Sequence, residues 1–174
     1  MQVAQVLDDA FARIPGVVHP TLDGLDVDAL TWQPDPQANP IGWLVWHLSR
    51  VQDDHVAELA GDQQVWGAQG WAPHFGLDEG TTETGFGHRP EQVRAVQPDS
   101  AAVLLDYLDE VTDHTRTFLA TLGPGDLDRI IDTSWDPPVT MGVRLVSVIG
   151  DSMQHAGQAA YLRGLYERRV EPTR

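Results

Sequence analysis

Cysteine is absent from this sequence. That absence excludes disulfide bonds and thiolate ligation of a metal, and any nucleophilic sulfur must therefore arrive with a substrate. A cytoplasmic address agrees with it and is the expected one. Long apolar runs are missing as well: no stretch approaches the roughly 18 consecutive apolar residues of a membrane span. The opening MQVAQVLDDAFARI has neither a basic start nor an unbroken apolar core, so neither a signal peptide nor a membrane partner is expected. Positive charge is scarce, with 11 Lys and Arg against 26 Asp and Glu and a net charge of −15. Such a chain repels a phosphate backbone instead of neutralising it, which argues against nucleic acid as a partner. Internal repeats and low-complexity segments are also lacking. The apolar fraction of 41% over 174 residues is that of an ordinary globular protein, so one domain over residues 1–174 is expected to enclose a real core.

What is present is helical periodicity, in four segments separated by Pro- and Gly-rich connections. The first covers roughly residues 2–23, with Val3, Val6, Leu7, Ala10, Phe11 and Ile14 at spacings of three and four. Pro15 and Pro20 are expected to kink it or divide it. The stretch TWQPDPQANP cannot be regular helix, but Asn39 as N-cap and Pro40 in the first turn predict a second helix to about Ala60, stopped by Gly61. A long connection then runs from Gly61 to about Pro98, carrying Trp66, Trp71, Phe75 and Phe86. Connections of that length inside a compact domain usually cover a site or serve one. The third helix begins after Asp99 or Ser100 and ends near Leu122, with Val103, Leu104, Tyr107, Leu108, Val111 and Phe118 as its buried stripe. The fourth runs from about Thr140 to Arg168, with Val143, Val146, Ile149, Met153, Ala160 and Leu165 among polar groups. No segment alternates with period two. The predicted class is all-α, a four-helix bundle with a long connection between its second and third helices.

Two of the seven histidines sit inside predicted apolar helices. His47 lies in GWLVWHLSRV; Asp54 falls within about 20° of it two turns along, and His55 is turned away by roughly 80°. In the fourth helix Asp151 and His155 are one turn apart on one face, with Gln158 nearly in line with Asp151. An acid and an imidazole in that relation can chelate one ion, and His47 from a facing helix would complete a three-ligand set with open positions. Such a set suits zinc, nickel, iron or manganese. Plainer readings stand beside this one. A histidine in an apolar helix is often a satisfied core residue, and an Asp–His pair four apart is often a surface ion pair. Spacing alone leaves both readings open. His74 and His88, on the long connection, read as surface residues within reach of a pocket mouth, and His114 as solvent-facing. Trp43, Trp46, Trp66, Trp71 and Trp135 read as packing residues, one or two of them lining a pocket.

GWLVWHLSRVQDDH and DSMQHAGQAAYLRG closely resemble the two signature helices of the DinB-like superfamily. Within it they look most like the DUF664 branch, which contains mycothiol-dependent S-transferases and the mycothiol-dependent maleylpyruvate isomerase. PDPQANPIGWLVWHL, QVWGAQGWAPHFGL and WDPPVTMGVRLVSV read like the same branch, so the resemblance covers essentially the whole chain. It implies a four-helix bundle with one divalent metal in its core, held by a histidine of the second helix and two residues four apart on the fourth. Carried across by position, His47 matches the first ligand and His155 the histidine before the family's x-G-x element, here AGQ. Asp151 matches the third, usually histidine in the superfamily and glutamate in the isomerase. Aspartate is one methylene shorter than glutamate, which sets the ion closer to the fourth helix or changes the carboxylate geometry. Gln158 stands where that branch often has histidine. The implied activity is metal-dependent transfer from a low-molecular-weight thiol to an electrophile, with zinc or nickel ahead of iron or manganese. Asp54, Gln158 and Arg163 are its candidates for orienting a ligand or holding substrate. The expected partners are the thiol and the electrophile, and homodimers are common among such bundles. The alternatives are a metal-dependent hydrolase and a non-catalytic metal-binding protein of the stress or damage response.

Overall fold

The computed structural model describes residues 3–123 and 125–170. In chain order its elements are α1 (Val3–Leu22), α2 (Val27–Thr31), α3 (Ile41–Ala60), α4 (Val65–Ala68), α5 (Pro90–Ala95), α6 (Ala101–Ala120), β1 (Ile130–Asp132), β2 (Val139–Thr140) and α7 (Met141–Val170). The four long helices make the predicted bundle. α1 packs against α6 and α7, and α3 packs against the same two, so α1 and α3 face each other across a diagonal. The α3–α7 seam, which carries His47 on one side and Asp151 and His155 on the other, is the most extensive of these contacts.

α1 runs unbroken through Pro15 and Pro20, so the expected division does not occur. Phe11, Ile14, Val18 and Leu22 are all fully buried along one face. At about 1.5–3 kcal/mol per side chain, their burial outweighs two interior prolines at about 3 kcal/mol each. Arg163 of α7 donates to the carbonyl oxygens of Pro20 and Thr21 at the helix end, supplying donors where the helix has none left. Val6 is half-exposed, outside this face.

α3 is capped by Pro40, one residue after the predicted Asn39, and its first turn has no side-chain cap. Its other end is as read: Gly61, at φ 74°, returns its N–H to the Ala57 carbonyl. Ser100 caps α6 by accepting from the Val103 N–H at 3.3 Å. On α7 the buried stripe is Met141, Leu145, Val148, Ser152, Ala156 and Ala159. Val143 and Val146 lie on the outer face at 53% and 62% exposure, because a helix with apolar residues in two registers buries the one that meets α1 and α3.

The hairpin of β1 and β2, antiparallel with Ile130 opposite Thr140, is too short to display the alternation that announces a strand. Trp135, expected to pack, stands exposed between the two strands. The long connection is not bare loop, since it folds into α4, a 3-10 turn at Ala72–Phe75 and α5. No helix among the described residues is long and apolar enough to cross a membrane.

Candidate metal centre

The α3–α7 seam brings His47, Asp151 and His155 together, with one ligand atom from each lying within 4.8 Å of the others. A tetrahedral ion with bonds near 2.1 Å needs ligand separations of roughly 3.4 Å, so small side-chain rotations close the set. The two imidazoles meet edge to face, with ring centroids 4.8 Å apart. Within α7 the Asp151 Oδ1 lies 3.6 Å from His155 Nε2, the turn-to-turn contact that a four-residue spacing produces. The other carboxylate oxygen, Asp151 Oδ2, is buried with no hydrogen-bond partner among the described residues. A buried carboxylate oxygen without a donor is costly, and a cation between the helices is what would satisfy it. The donor set and this orphaned atom fit a divalent ion.

Each imidazole is held by its Nδ1. His155 Nδ1 donates to Gln158 Oε1 at 2.8 Å, and His47 Nδ1 donates to the backbone carbonyl of Thr84. In a neutral ring so held, the lone pair is on Nε2, the arrangement that ligating histidines adopt. Gln158 thus orients His155, whereas His47 is oriented by a backbone group of the long connection and not by Asp54. Trp43 stacks on the His47 ring at 4.6 Å, nearly parallel. Burial pushes the His47 pKa below its ordinary value, and the neighbouring His155 and His88 rings add to this against the opposing bond to Thr84. His47 is thereby neutral at pH 7, as a ligand must be.

The Thr84 carbonyl is placed by groups that sequence reading passed over. Arg50 is fully buried, and all five of its N–H groups find acceptors. Nη1 donates to Asp53 Oδ2 at 3.2 Å and to the Tyr107 hydroxyl at 3.1 Å. Nη2 donates to Gln64 Oε1 at 2.8 Å and the Thr82 carbonyl at 3.2 Å, and Nε to the Glu83 carbonyl at 3.2 Å. Asp53 in turn accepts from the backbone N–H groups of Val65 and Trp66 and from the Tyr107 hydroxyl. Burial holds the Tyr107 pKa well above its usual range, so the hydroxyl keeps the proton it donates. This network clamps both ends of the 64–84 segment to α3. Its trace in the sequence is a charged pair, Arg50 and Asp53, lying on the same stripe as Trp43, Trp46 and His47.

Gly85 completes the contact. Its φ is 96°, and a Cβ there would stand 2.8 Å from His47 Nδ1 and 2.9 Å from the Trp46 ring. Gly85→Ala is thus both strained and crowded, and the loop must lift off the ligand. The expected result is a 10- to 100-fold loss of metal affinity, about what an orienting partner contributes. Competition against a chelator measures it, with helical circular dichroism retained.

A cavity of 360 Å³ opens beside the ligands in the same seam. His47, Val51, Asp54 and His55 line it from α3; Ser147, Val148 and Asp151 line it from α7. Thr84 and the 93% exposed Phe86 stand at its edge. Its size lies at the lower end of small-molecule sites. Asp54 lines the cavity, and His55 joins it despite its angular offset. Arg163 is not brought there, being spent on α1 and on Glu167. His88 is a correction: its side chain is only 5% exposed, accepting at Nδ1 from Trp43 Nε1 and donating at Nε2 to Glu83, because the clamped connection folds it onto Trp46. His74 is exposed and paired with Asp99, and His114 is half-buried beside Asp62.

A helical bundle whose inner seam carries a His–Asp–His set defines a class of candidate metalloproteins. The comparisons name the family. The profile of the DinB superfamily matches residues 10–159, a span that includes all three side chains. The crystal structure titled as the conserved protein of a locus from Enterococcus faecalis is similar over 94% of this chain and 96% of that one, at 32% identity and a TM-score of 0.85. No curated protein matches the chain. The chain belongs to the DinB superfamily.

Proposed function

We propose that this protein is a metal-dependent transferase that acts on a low-molecular-weight thiol, in the mycothiol-using branch of its superfamily. The observation that carries the reading is that His47, Asp151 and His155 each bring a ligand atom within 4.8 Å of the others beside an open cavity, with a buried Asp151 oxygen that has no hydrogen-bond partner among the described residues. His47, Asp151 and His155 would hold one divalent ion there, zinc or nickel foremost. A divalent ion so held lowers the pKa of a coordinated thiol and makes thiolate available at neutral pH. The chain has no cysteine of its own, so the sulfur belongs to the cosubstrate.

The chain's own residues supply order and shape. Gln158 and the Thr84 carbonyl fix which nitrogen each imidazole presents. Trp43, stacked on His47, keeps that ring from turning. Val51 and Val148 give the cavity apolar walls. The sulfur bonds to an electrophilic carbon as a leaving group departs with the bonding pair. In addition to a reactive double bond, the thiol's proton instead passes to the adjacent carbon.

The test mixes metal-loaded protein with mycothiol or bacillithiol and a chromogenic electrophile such as 1-chloro-2,4-dinitrobenzene. Conjugate formation well above that of metal-free protein is expected. Equal rates with and without metal would overturn the reading, and turnover of ester or phosphoester substrates without thiol would replace it with hydrolysis.

A further inference from the structure

We infer that Asp54, His55 and Ser147 form a second subsite in the cavity, away from the ligands, which takes a hydroxyl-bearing tail of the thiol; this rests on the thiol reading above.

The inference follows from counting donors and acceptors. Arg144 Nη1 lies 3.0 Å from His55 Nδ1. A guanidinium only donates, so His55 Nδ1 accepts and the ring proton sits on Nε2. No acceptor among the described residues meets that Nε2–H. Asp54 uses Oδ1 to accept from Gln64 Nε2 at 2.7 Å. Its Oδ2 lies 3.9 Å from His55 Nδ1, whose lone pair is already engaged, so this oxygen remains a free acceptor. Ser147 donates its hydroxyl proton to the Val143 carbonyl at 2.9 Å, leaving only lone pairs. All three residues line the same cavity, so its wall offers one donor and several acceptors.

That inventory discriminates among tails. A carboxylate finds a single donor and faces the charge of Asp54. An ammonium finds acceptors but has nothing with which to accept from His55, and Arg144 stands behind the ring. A hydroxyl does both: it accepts from His55 Nε2–H and donates to Asp54 or Ser147. Burial and the Arg144 charge also hold His55 below its ordinary pKa, against the opposing pull of Asp54, Glu58 and Asp151, so the ring stays a neutral donor. Asp54 and His55 follow His47 by seven and eight residues, roughly 11 Å along the helix axis. Val51 and Val148 line the cavity as well, so an apolar linker of that order suits the path between the two subsites.

Three thiols of equal chain length test this: hexane-1-thiol, 6-mercaptohexan-1-ol and 6-mercaptohexanoate. Each is titrated into cobalt-loaded protein, and affinity is read from the sulfur-to-cobalt charge-transfer absorption. In the wild type the alcohol is expected to bind more tightly than the carboxylate. In His55→Ala the ratio of alcohol to alkane affinity is expected to fall about three- to tenfold, the worth of one good hydrogen bond. His55→Gln, which keeps an N–H donor, restores part of that ratio. Before thiol is added the cobalt ligand-field bands are the same in wild type and variants, so a misfolded variant is recognised by their loss and set aside in favour of His55→Gln. An alcohol-to-alkane ratio that is the same in wild type and His55→Ala overturns the subsite and leaves the thiol reading standing. Absence of any charge-transfer band with all three thiols overturns both.

Discussion

Alanine at His47 or at His155 is expected to lower divalent-metal affinity by more than about 100-fold, beyond the 10- to 100-fold effect of losing an orienting partner. Either change removes one of the three candidate ligands, and neither the Thr84 carbonyl nor Gln158 can take its place. Elemental analysis should find about one equivalent of metal in the wild type and a trace in the variants. Thermal unfolding gives a second readout. A ligand present at 100 times its Kd stabilises the native state by about 2.7 kcal/mol, which for a chain of this size is roughly 5–11 °C. The wild type should show that rise on adding zinc or nickel, and the variants should not. pH supplies a further limb. His47 carries a depressed pKa through burial first and the adjacent rings second, so it is neutral at pH 7 in the fold. In the unfolded chain it protonates near the ordinary value of about 6.5. Its contribution to stability is thus present above that value and is lost as pH falls through the lower, folded pKa. Metal occupancy should decline over the same acid range. A wild type whose melting temperature does not respond to metal at pH 7.5 would remove the ion from this site.

The second large effect is expected at Arg50, which never approaches a substrate. Arg50→Ala leaves Asp53 as an unpaired charge at a position fully closed to solvent, a loss of about 3–5 kcal/mol or roughly 6–20 °C in melting temperature. It also strips donors from the Thr82 and Glu83 carbonyls, next to the Thr84 carbonyl that orients His47. Metal affinity should therefore fall along with stability. Arg50→Lys is expected to recover little, because three N–H groups on one atom cannot serve five acceptors spread over α3, α6 and the connection. Chemical denaturation and a chelator competition, run on the same samples, separate the two losses. A variant that melts like the wild type would show that the buried pair contributes no net stability.

Much of this is legible in the sequence. The three candidate ligands are nominated by local rules and by the family resemblance: Asp151 and His155 share a helix face because four residues make about one turn, and His47 lies among apolar positions of its helix. The ends of α3 and α6 were readable too, from Gly61 and Ser100, since caps are local chemistry. The misreadings share a different cause. Pro15 and Pro20 were weighed as local breakers, but the burial of Phe11, Ile14, Val18 and Leu22 against two other helices decided the matter. Val143 and Val146 carry the helical period as well as Leu145 and Val148 do; only the position of α3 and α1 selected between them. His88 looked like a loop surface residue until the connection that carries it was seen folded back onto Trp43 and Trp46.

The sequence by itself determined the class of the fold and the chemistry it can hold: four amphipathic helices, no thiol, an acid and an imidazole one turn apart, and a further imidazole inside an apolar helix. These rest on the period of the helix and the identity of side chains, which need no knowledge of neighbours. The tertiary structure alone decided which nitrogen each imidazole presents, where the cavity opens, and that a buried Arg50–Asp53 clamp steadies the loop behind His47. Those depend on groups far apart in the chain, including the Thr84 carbonyl and the space above Gly85, and a backbone carbonyl carries no sequence signature of where it will point.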